Sequence, residues 1–337
     1  MDVGAALAAA SGMPAVASRS AFARAAFQFV KALDVEHRSA GQVAVVRQEK
    51  DWPARRDGVL RVVLALEGAH ALEGNITNLV PMYRLGVRVL GLHHFFDNDA
   101  GGSLHGESNA GLTEWGAELV LRAFDTGVAV DVTHSSKAAV LQAVRLAKHE
   151  RRPLLMSHTG AAALCGGAPD PRGADDETIK AVASTGGVMG VGMWKEVLCG
   201  EATVAAVARH VAHICKLVGC KHAALGSDWD GGITTPPGLD AAGLPLVTDA
   251  LLAAGLKRRD IEGVMGSNAV RVLKAAMKPA DRAAHAVFRA TGRPDGEHVS
   301  RWVKEGRFAG AARLLRPDAL QPEQHHPFFA WPLKPKP

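Results

Sequence analysis

From Arg61 onward, short apolar runs alternate with longer segments in which apolar residues recur at helical spacing. This alternation is typical of βα units that build a parallel sheet. The runs are almost wholly apolar, as strands covered on both faces need to be. They predict six strands and an α/β fold: residues 62–66, 87–92, 128–132, 154–156, 188–191 and 223–225.

The helices between these strands have recognisable ends. The segment 114–125 has an apolar face and stops before Gly127, a residue type that ends helices at low cost. Ser136 and Thr203 precede two further apolar stripes and are predicted to be N-caps. A helix is also predicted at about residues 20–35, with no regular strand before Arg61.

The change in pattern along the chain predicts three parts. Residues 1–60 are expected to be an irregular N-terminal segment packed on the core, and residues 61–278 to be the α/β core. Residues 279–337 are expected to be a C-terminal extension whose prolines prevent a regular helix near its end. We interpret this extension as a strap over the body or as a partner surface.

Composition narrows the class of protein. With 337 residues, 47% hydrophobic and 22% charged, the chain has a globular composition. The net charge is 39 − 34 = +5, and the basic residues are scattered, so nucleic acid is not an expected partner. Neither an apolar run long enough for a transmembrane helix nor a basic leader is present, which favours a cytoplasmic location.

The four cysteines, Cys165, Cys199, Cys215 and Cys220, have irregular spacing and form no CxxC pair. They are too few for a disulfide framework, and we expect them to be small buried apolar residues.

Polar side chains follow five of the six predicted strands. They are Glu67, His93 with His94, His134, His158, and Asp228 with Asp230. The carboxyl ends of parallel strands meet at one edge of the sheet, so these groups are expected to converge. Imidazole and carboxylate groups suit a divalent ion that activates water, and the set predicts a metal site. His210 and His213, three residues apart on one helix, are predicted to be packing or surface residues instead.

Several of these segments, in order, resemble the membrane (renal) dipeptidase family of metallopeptidases. The matching pieces include Ala65-Leu66-Glu67-Gly68-Ala69-His70, Val130-Asp131-Val132-Thr133-His134, Ser157-His158-Thr159, Gly226-Ser227-Asp228-Trp229-Asp230-Gly231 and Gly266-Ser267-Asn268-Ala269-Val270-Arg271-Val272. The resemblance covers about residues 33–276. It implies a TIM-type (β/α)8 barrel around a two-zinc site, and a hydrolase that splits the peptide bond of dipeptides with a metal-activated water.

The resemblance also implies residue roles. Glu67 is similar to the carboxylate that bridges the two metals, and His134 and His158 to the remaining ligands of one metal. Asp228 resembles the carboxylate that handles protons, and His94 the histidine that holds the substrate and polarises the intermediate. Arg172, similar to the arginine that takes the substrate's free carboxylate, has the alternative of a solvent-exposed loop residue.

One departure from the family pattern lies near the start of the chain. The family's first barrel strand ends in His-x-Asp, and this pair does not occur before Glu67. We therefore expect a barrel that lacks or replaces its first strand, and one zinc ion in place of two. A catalytically impaired or non-catalytic homologue that acts in binding or assembly is the alternative, as is a hydrolase of a non-peptide amide. A dipeptide is the expected ligand and a second copy of the chain a candidate partner.

Overall fold

A computed structural model describes residues 20–53, 57–166 and 172–278. The strands are β1 (Val43–Val45), β2 (Leu60–Val62), β3 (Leu64–Leu66), β4 (Val87–Gly91), β5 (Ala129–Asp131), β6 (Leu155–Ala161), β7 (Gly173–Ala174), β8 (Val188–Val191) and β9 (Ala223–Leu225). The α-helices are α1 (Ala21–Arg38), α2 (Leu79–Arg84), α3 (Glu114–Thr126), α4 (Lys137–His149), α5 (Asp176–Ala183), α6 (Val204–Val218), α7 (Leu244–Ala253), α8 (Arg258–Glu262) and α9 (Asn268–Ala276).

The main sheet runs β3-β4-β5-β6-β8-β9 with every pair parallel, and the short β7 adds to the end of β6. Along this path the strands follow one another in chain order, which is the winding of a TIM-type barrel. The α/β class is confirmed, and each of the six predicted segments contains a strand of this sheet. Within the described residues β3 pairs only with β4, so the hydrogen-bonded path ends there.

The N-terminal part is more regular than the sequence indicated. Strand β1 exists, and it pairs in parallel with β2, which begins at Leu60. The predicted strand 62–66 is divided, because β2 pairs with β1 whereas β3 pairs with β4. A continuous apolar run does not show where a strand changes its partner. The predictions for residues 1–19 and for the tail 279–337 lie outside the described residues.

The predicted helix caps are confirmed. The side chains of Ser136 and Thr203 accept backbone N–H bonds from the first turns of α4 and α6. Gly127 ends α3 with φ 75°, in the left-handed region that glycine adopts without steric cost.

The core lies on both faces of the sheet. Leu90 and Val130 belong to the large cluster under the outer helices. Their neighbours Val89 and Ala129 face the other way and pack with Ala276 of α9. Helix α9 therefore covers the inner face of the sheet.

No helix in the described part of the chain combines the length and apolar character needed to span a membrane.

The interpretation of the cysteines is wrong. Cys165 is bonded to Cys199 and Cys215 to Cys220, with Cα atoms 4.9 Å and 4.0 Å apart, and all four residues are partly exposed. The first bond links the loops after β6 and β8, which only the pairing of those strands brings together. Spacing along the chain does not contain that information.

Candidate metal centre

Three side chains from strands of the main sheet converge at its carboxyl end. Glu67 follows β3, His134 follows β5, and His158 lies within β6. Oε1 of Glu67 is 3.2 Å from Nε2 of His134 and 3.3 Å from Nε2 of His158. The two Nε2 atoms are 3.1 Å apart. The structure therefore brings the three residues predicted to be ligands to one point.

The geometry of these donors fits a small divalent ion. Bonds of about 2.0–2.1 Å in a tetrahedral zinc site place neighbouring ligand atoms about 3.3 Å apart. The three separations lie close to that value. Two imidazole nitrogens and one carboxylate oxygen also form a donor set that zinc accepts while a fourth position stays open.

A β-bulge turns His158 toward this point. Met156 pairs with Met189 and Thr159 with Val191, so two residues of β6 lie opposite one residue of β8. A bulge of this kind changes the direction of a side chain within a strand. The residue opposite is Gly190, where a Cβ atom would lie 2.1 Å from the carbonyl oxygen of Ser157. The close approach therefore requires glycine.

A hydrogen-bonded chain fixes the orientation of the His158 ring. Its Nδ1 lies 2.8 Å from Oγ of Ser157, which lies 3.2 Å from Oγ1 of Thr133. Thr133 donates in turn to Oδ1 of Asp131 at 2.7 Å. Because a carboxylate only accepts, the donors run from Nδ1–H of His158 toward Asp131. Nε2 of His158 then carries the lone pair that a metal needs.

Two of the site residues have an unusual backbone. His134 and Asp228 have φ of 63° and 61°, a left-handed conformation that is uncommon outside glycine. Such conformations persist where the surrounding structure fixes them, and they concentrate at functional sites. Gly231 accommodates the second, since a Cβ there would lie 2.3 Å from Oδ1 of Asp228.

The electrostatics favour neutral imidazole beside ionised carboxylate. Burial lowers the pKa of His134 to about 3, so the ring is neutral near pH 7. Loss of solvent raises the pKa of Glu67, but its interactions with the imidazoles of His134 and His158 outweigh this effect and leave the pKa below its ordinary value. These are the protonation states that metal ligands require.

The other predicted site residues surround the three donors. Nε2 of His94 lies 4.0 Å from Oε1 of Glu67, and Oδ2 of Asp228 lies 4.0 Å from Nε2 of His158. Burial lowers the pKa of His94 and raises that of Asp228. Arg172 is 8% exposed, and its Nη2 lies 3.5 Å from Nε2 of His134. The alternative of a solvent-exposed loop residue is therefore wrong for Arg172.

The sequence predicted no site residue at the end of strand β8. Strand β8 is followed by Trp194, whose ring lies 5.2 Å from the guanidinium carbon of Arg172 and 6.0 Å from the ring of His158. Phe95 packs beside His134, with ring centroids 5.4 Å apart. The signal in the sequence was a tryptophan three residues after a buried strand, which by itself is an ordinary core residue.

His210 and His213 do not form a ligand pair with each other. Nδ1 of His210 accepts a bond from the backbone N–H of Ala161 at 2.9 Å. Nε2 of His213 lies 2.7 Å from Oδ1 of Asp176. The prediction that they are packing and surface residues is confirmed.

Comparison with known proteins identifies relatives of this chain. The chain is 32% identical over 250 residues to an uncharacterised protein in the pqqA 5' region of Klebsiella pneumoniae, covering 70% of this chain and 90% of the relative. It is 29% identical to the dipeptidase verJ of Clonostachys rogersoniana, covering 66% and 57%. Against the relatives named as dipeptidases in Clonostachys rogersoniana and Aspergillus oryzae, the chain spans 57% and 51% of the length.

Solved structures show the same fold. A metallopeptidase of Rhodobacter sphaeroides, bound to a phosphinate mimic of the dipeptide L-Ala-D-Ala, superposes with a TM-score of 0.65 at 25% identity, over 75% of this chain and 73% of that one. A probable dipeptidase, PvdM of Pseudomonas aeruginosa, superposes with a TM-score of 0.68 at 20% identity, over 77% and 79%. The model of the membrane dipeptidase family matches residues 2–286. The chain therefore belongs to the membrane dipeptidase family, peptidase family M19.

Proposed function

We propose that this protein is a zinc-dependent dipeptidase that holds one zinc ion on Glu67, His134 and His158. The observation that carries the proposal is the convergence of these three donors at zinc-like separations beside a buried arginine. Membership of the family and the dipeptide mimic bound by a structural relative support it.

A bound divalent ion lowers the pKa of a water molecule and polarises the scissile carbonyl. Asp228 lies beside this position, and its raised pKa suits a carboxyl group that accepts a proton and passes it to the leaving amine. His94, whose Nε2 lies 4.0 Å from Oε1 of Glu67, would donate a hydrogen bond to the carbonyl oxygen as charge develops there.

Arg172 determines which substrates fit. Its guanidinium is buried near His134 and therefore lies within reach of a ligand at the metal position. A guanidinium fork pairs with a carboxylate through two parallel hydrogen bonds. The last peptide bond of a chain, which is the single peptide bond of a dipeptide, lies a short fixed distance from the terminal carboxylate. The charge of Arg172 thus favours hydrolysis of a bond next to a free carboxyl terminus, and membership of the dipeptidase family supports a dipeptide as the substrate.

The test combines metal analysis with hydrolysis of L-Ala-D-Ala and a panel of other dipeptides. Protein purified with zinc is expected to hold about one ion per chain and to release free amino acids. His158→Ala is expected to lose the ion and at least about a thousandfold in kcat/KM, because removal of a ligand removes the activated water. His213→Ala, which removes a histidine paired with Asp176 outside the site, is the matched control.

The same measurements separate the alternatives. Two ions per chain contradict the single-ion proposal. Hydrolysis that persists in metal-free His158→Ala contradicts the mechanism. Wild-type protein that holds no zinc and splits no dipeptide supports the non-catalytic homologue, and activity confined to cyclic amides supports the non-peptide hydrolase. The cytoplasmic location stays a prediction.

A further inference from the structure

Trp194 packs against the residue proposed to bind the substrate carboxylate. It is 5% exposed, and its ring lies 5.2 Å from the guanidinium carbon of Arg172. This is within the range in which a cation is attracted to the face of an aromatic ring. The indole is also the group that follows β8, the one strand of the predicted six without an acid or a histidine at its end.

The backbone fixes the place of the indole. A Cβ atom at Gly192 would lie 2.3 Å from the Trp194 ring, so the ring occupies space that only glycine leaves free. The carbonyl of Trp194 accepts a bond from the N–H of Leu198 at 3.2 Å. The disulfide between Cys165 and Cys199 ties the same turn to the loop after β6. The ring is therefore held independently of Arg172.

The attraction between a guanidinium and the face of an aromatic ring acts on the positive charge, and it does not use the hydrogen bonds by which a guanidinium binds a carboxylate. A ring that holds the guanidinium in one place restricts its motion before the ligand arrives, and less freedom is then lost when the carboxylate binds.

We propose that Trp194 is a positioning residue for Arg172 and sets the preference of the site for a free terminal carboxylate. The inference rests on the proposed function, since it assumes that Arg172 binds this carboxylate. It adds a specificity determinant at the strand end that carries no acid or histidine.

The expected effect is on discrimination between substrates. Loss of a cation–π contact at a buried site corresponds to about a tenfold change in affinity. Trp194→Leu is expected to raise KM for dipeptides about tenfold with kcat little changed. Trp194→Phe keeps an aromatic face and is expected to stay within about threefold of wild type. Both variants open space beside Arg172, so the difference between them measures the ring contact.

The decisive measurement is equilibrium binding of a phosphinate mimic of L-Ala-D-Ala and of the same compound with a terminal carboxamide. The wild type and Trp194→Phe are expected to prefer the free acid, and Trp194→Leu to lose most of that preference with an unchanged zinc content. Trp115→Leu, on α3 where the side chain packs against the outer core, is the control for a lost tryptophan.

If both Trp194 variants bind the acid and the amide more weakly by the same factor, Trp194 only lines the site, and the inference is overturned. A wild type that binds both probes equally well also overturns it. A protein that binds the acid selectively but hydrolyses no dipeptide contradicts the proposed function alone, because the binding ratios still test Trp194. Failure to bind either probe overturns both.

Discussion

The two ends of the same sheet use polar side chains in opposite ways. At the carboxyl ends, Glu67, His134 and His158 direct their donor atoms at one another across about 3 Å. At the amino ends, Asn268 donates to the carbonyls of Cys220 and Ala223, both at 2.8 Å, and Arg271 donates to those of Gly186 and Lys221. The carboxyl ends bring together side-chain lone pairs that could bind a metal, whereas side chains at the amino ends donate hydrogen bonds to backbone carbonyls.

The two ends of the sheet contain segments that both match the family but have different roles. The segment around Asp228 and the segment 266–272 both match the family, but the second lies on α9, whose apolar face packs on the inner side of the strands. Groups at the amino ends of barrel strands ordinarily stabilise the fold, and groups at the carboxyl ends carry the chemistry. Substitutions at the two ends should therefore affect different measurements.

The largest effect is expected at Asp228. Asp228→Asn keeps the shape and tolerates the left-handed backbone but no longer carries a proton, so kcat for dipeptide hydrolysis should fall about 10²- to 10⁴-fold. Zinc content should not change, because Asp228 lies outside the three closest donors. Asp230→Asn, at an exposed position with a similar φ of 62°, should remain near wild type. Equal activity of both variants contradicts the assigned role.

Each end of the sheet has one disulfide, and the two should contribute unequally. Cys165–Cys199 joins residues 34 apart at the carboxyl end, and Cys215–Cys220 joins residues 5 apart at the amino end. Chain entropy predicts that replacing both cysteines with serine lowers the free energy of unfolding by about 4 kcal/mol for the first bond and about 2 kcal/mol for the second. Urea unfolding measures both, and the reverse order contradicts the entropic account.

Acid should weaken the carboxyl end through His210, which accepts a bond from Ala161 at the end of β6. Burial lowers its pKa from 6.5 to about 4, so between these values the unfolded chain binds a proton that the folded chain does not. The titration of His210 therefore leaves the free energy of unfolding unchanged above about pH 6.5 and lowers it by about 3 kcal/mol as the pH falls to 4.

His210→Asn keeps an acceptor for Ala161 and removes the titration. Unfolding followed between pH 7 and pH 4 should show a shallower loss of stability in this variant. The control is His213→Asn, where the histidine is partly exposed and paired with Asp176. An unchanged slope in His210→Asn contradicts the prediction.

At the amino end, a substitution is expected to affect stability alone. Asn268→Ala leaves the carbonyls of Cys220 and Ala223 without the Nδ2 donor and should lower the free energy of unfolding by about 2–3 kcal/mol. Zinc binding and kcat/KM should stay near wild type at temperatures where the variant is folded. Ser267→Ala, at the exposed neighbouring position, should change neither quantity. A loss of zinc in Asn268→Ala contradicts the separation between the two ends.

Most of the fold could be predicted because its signals are local. A buried strand needs an apolar run, and a helix needs a cap and a stripe, so 128–132 and the caps at Ser136 and Thr203 are visible in the sequence. The site residues could be anticipated because parallel strands place their carboxyl ends together. What the sequence did not reveal depends on contacts between distant segments: the division of 62–66, the two disulfides, and the indole beside Arg172.

The sequence alone determined which chemical groups stand at the ends of the strands, since residue type and position after an apolar run are properties of the chain. Only the tertiary structure decided where those groups point. The bulge at Ser157 and His158, opposite Gly190, directs His158 inward, and the tight packing at Gly192 places Trp194 beside Arg172. The physical reason is that direction depends on strand register and close packing, which arise only when separate strands meet.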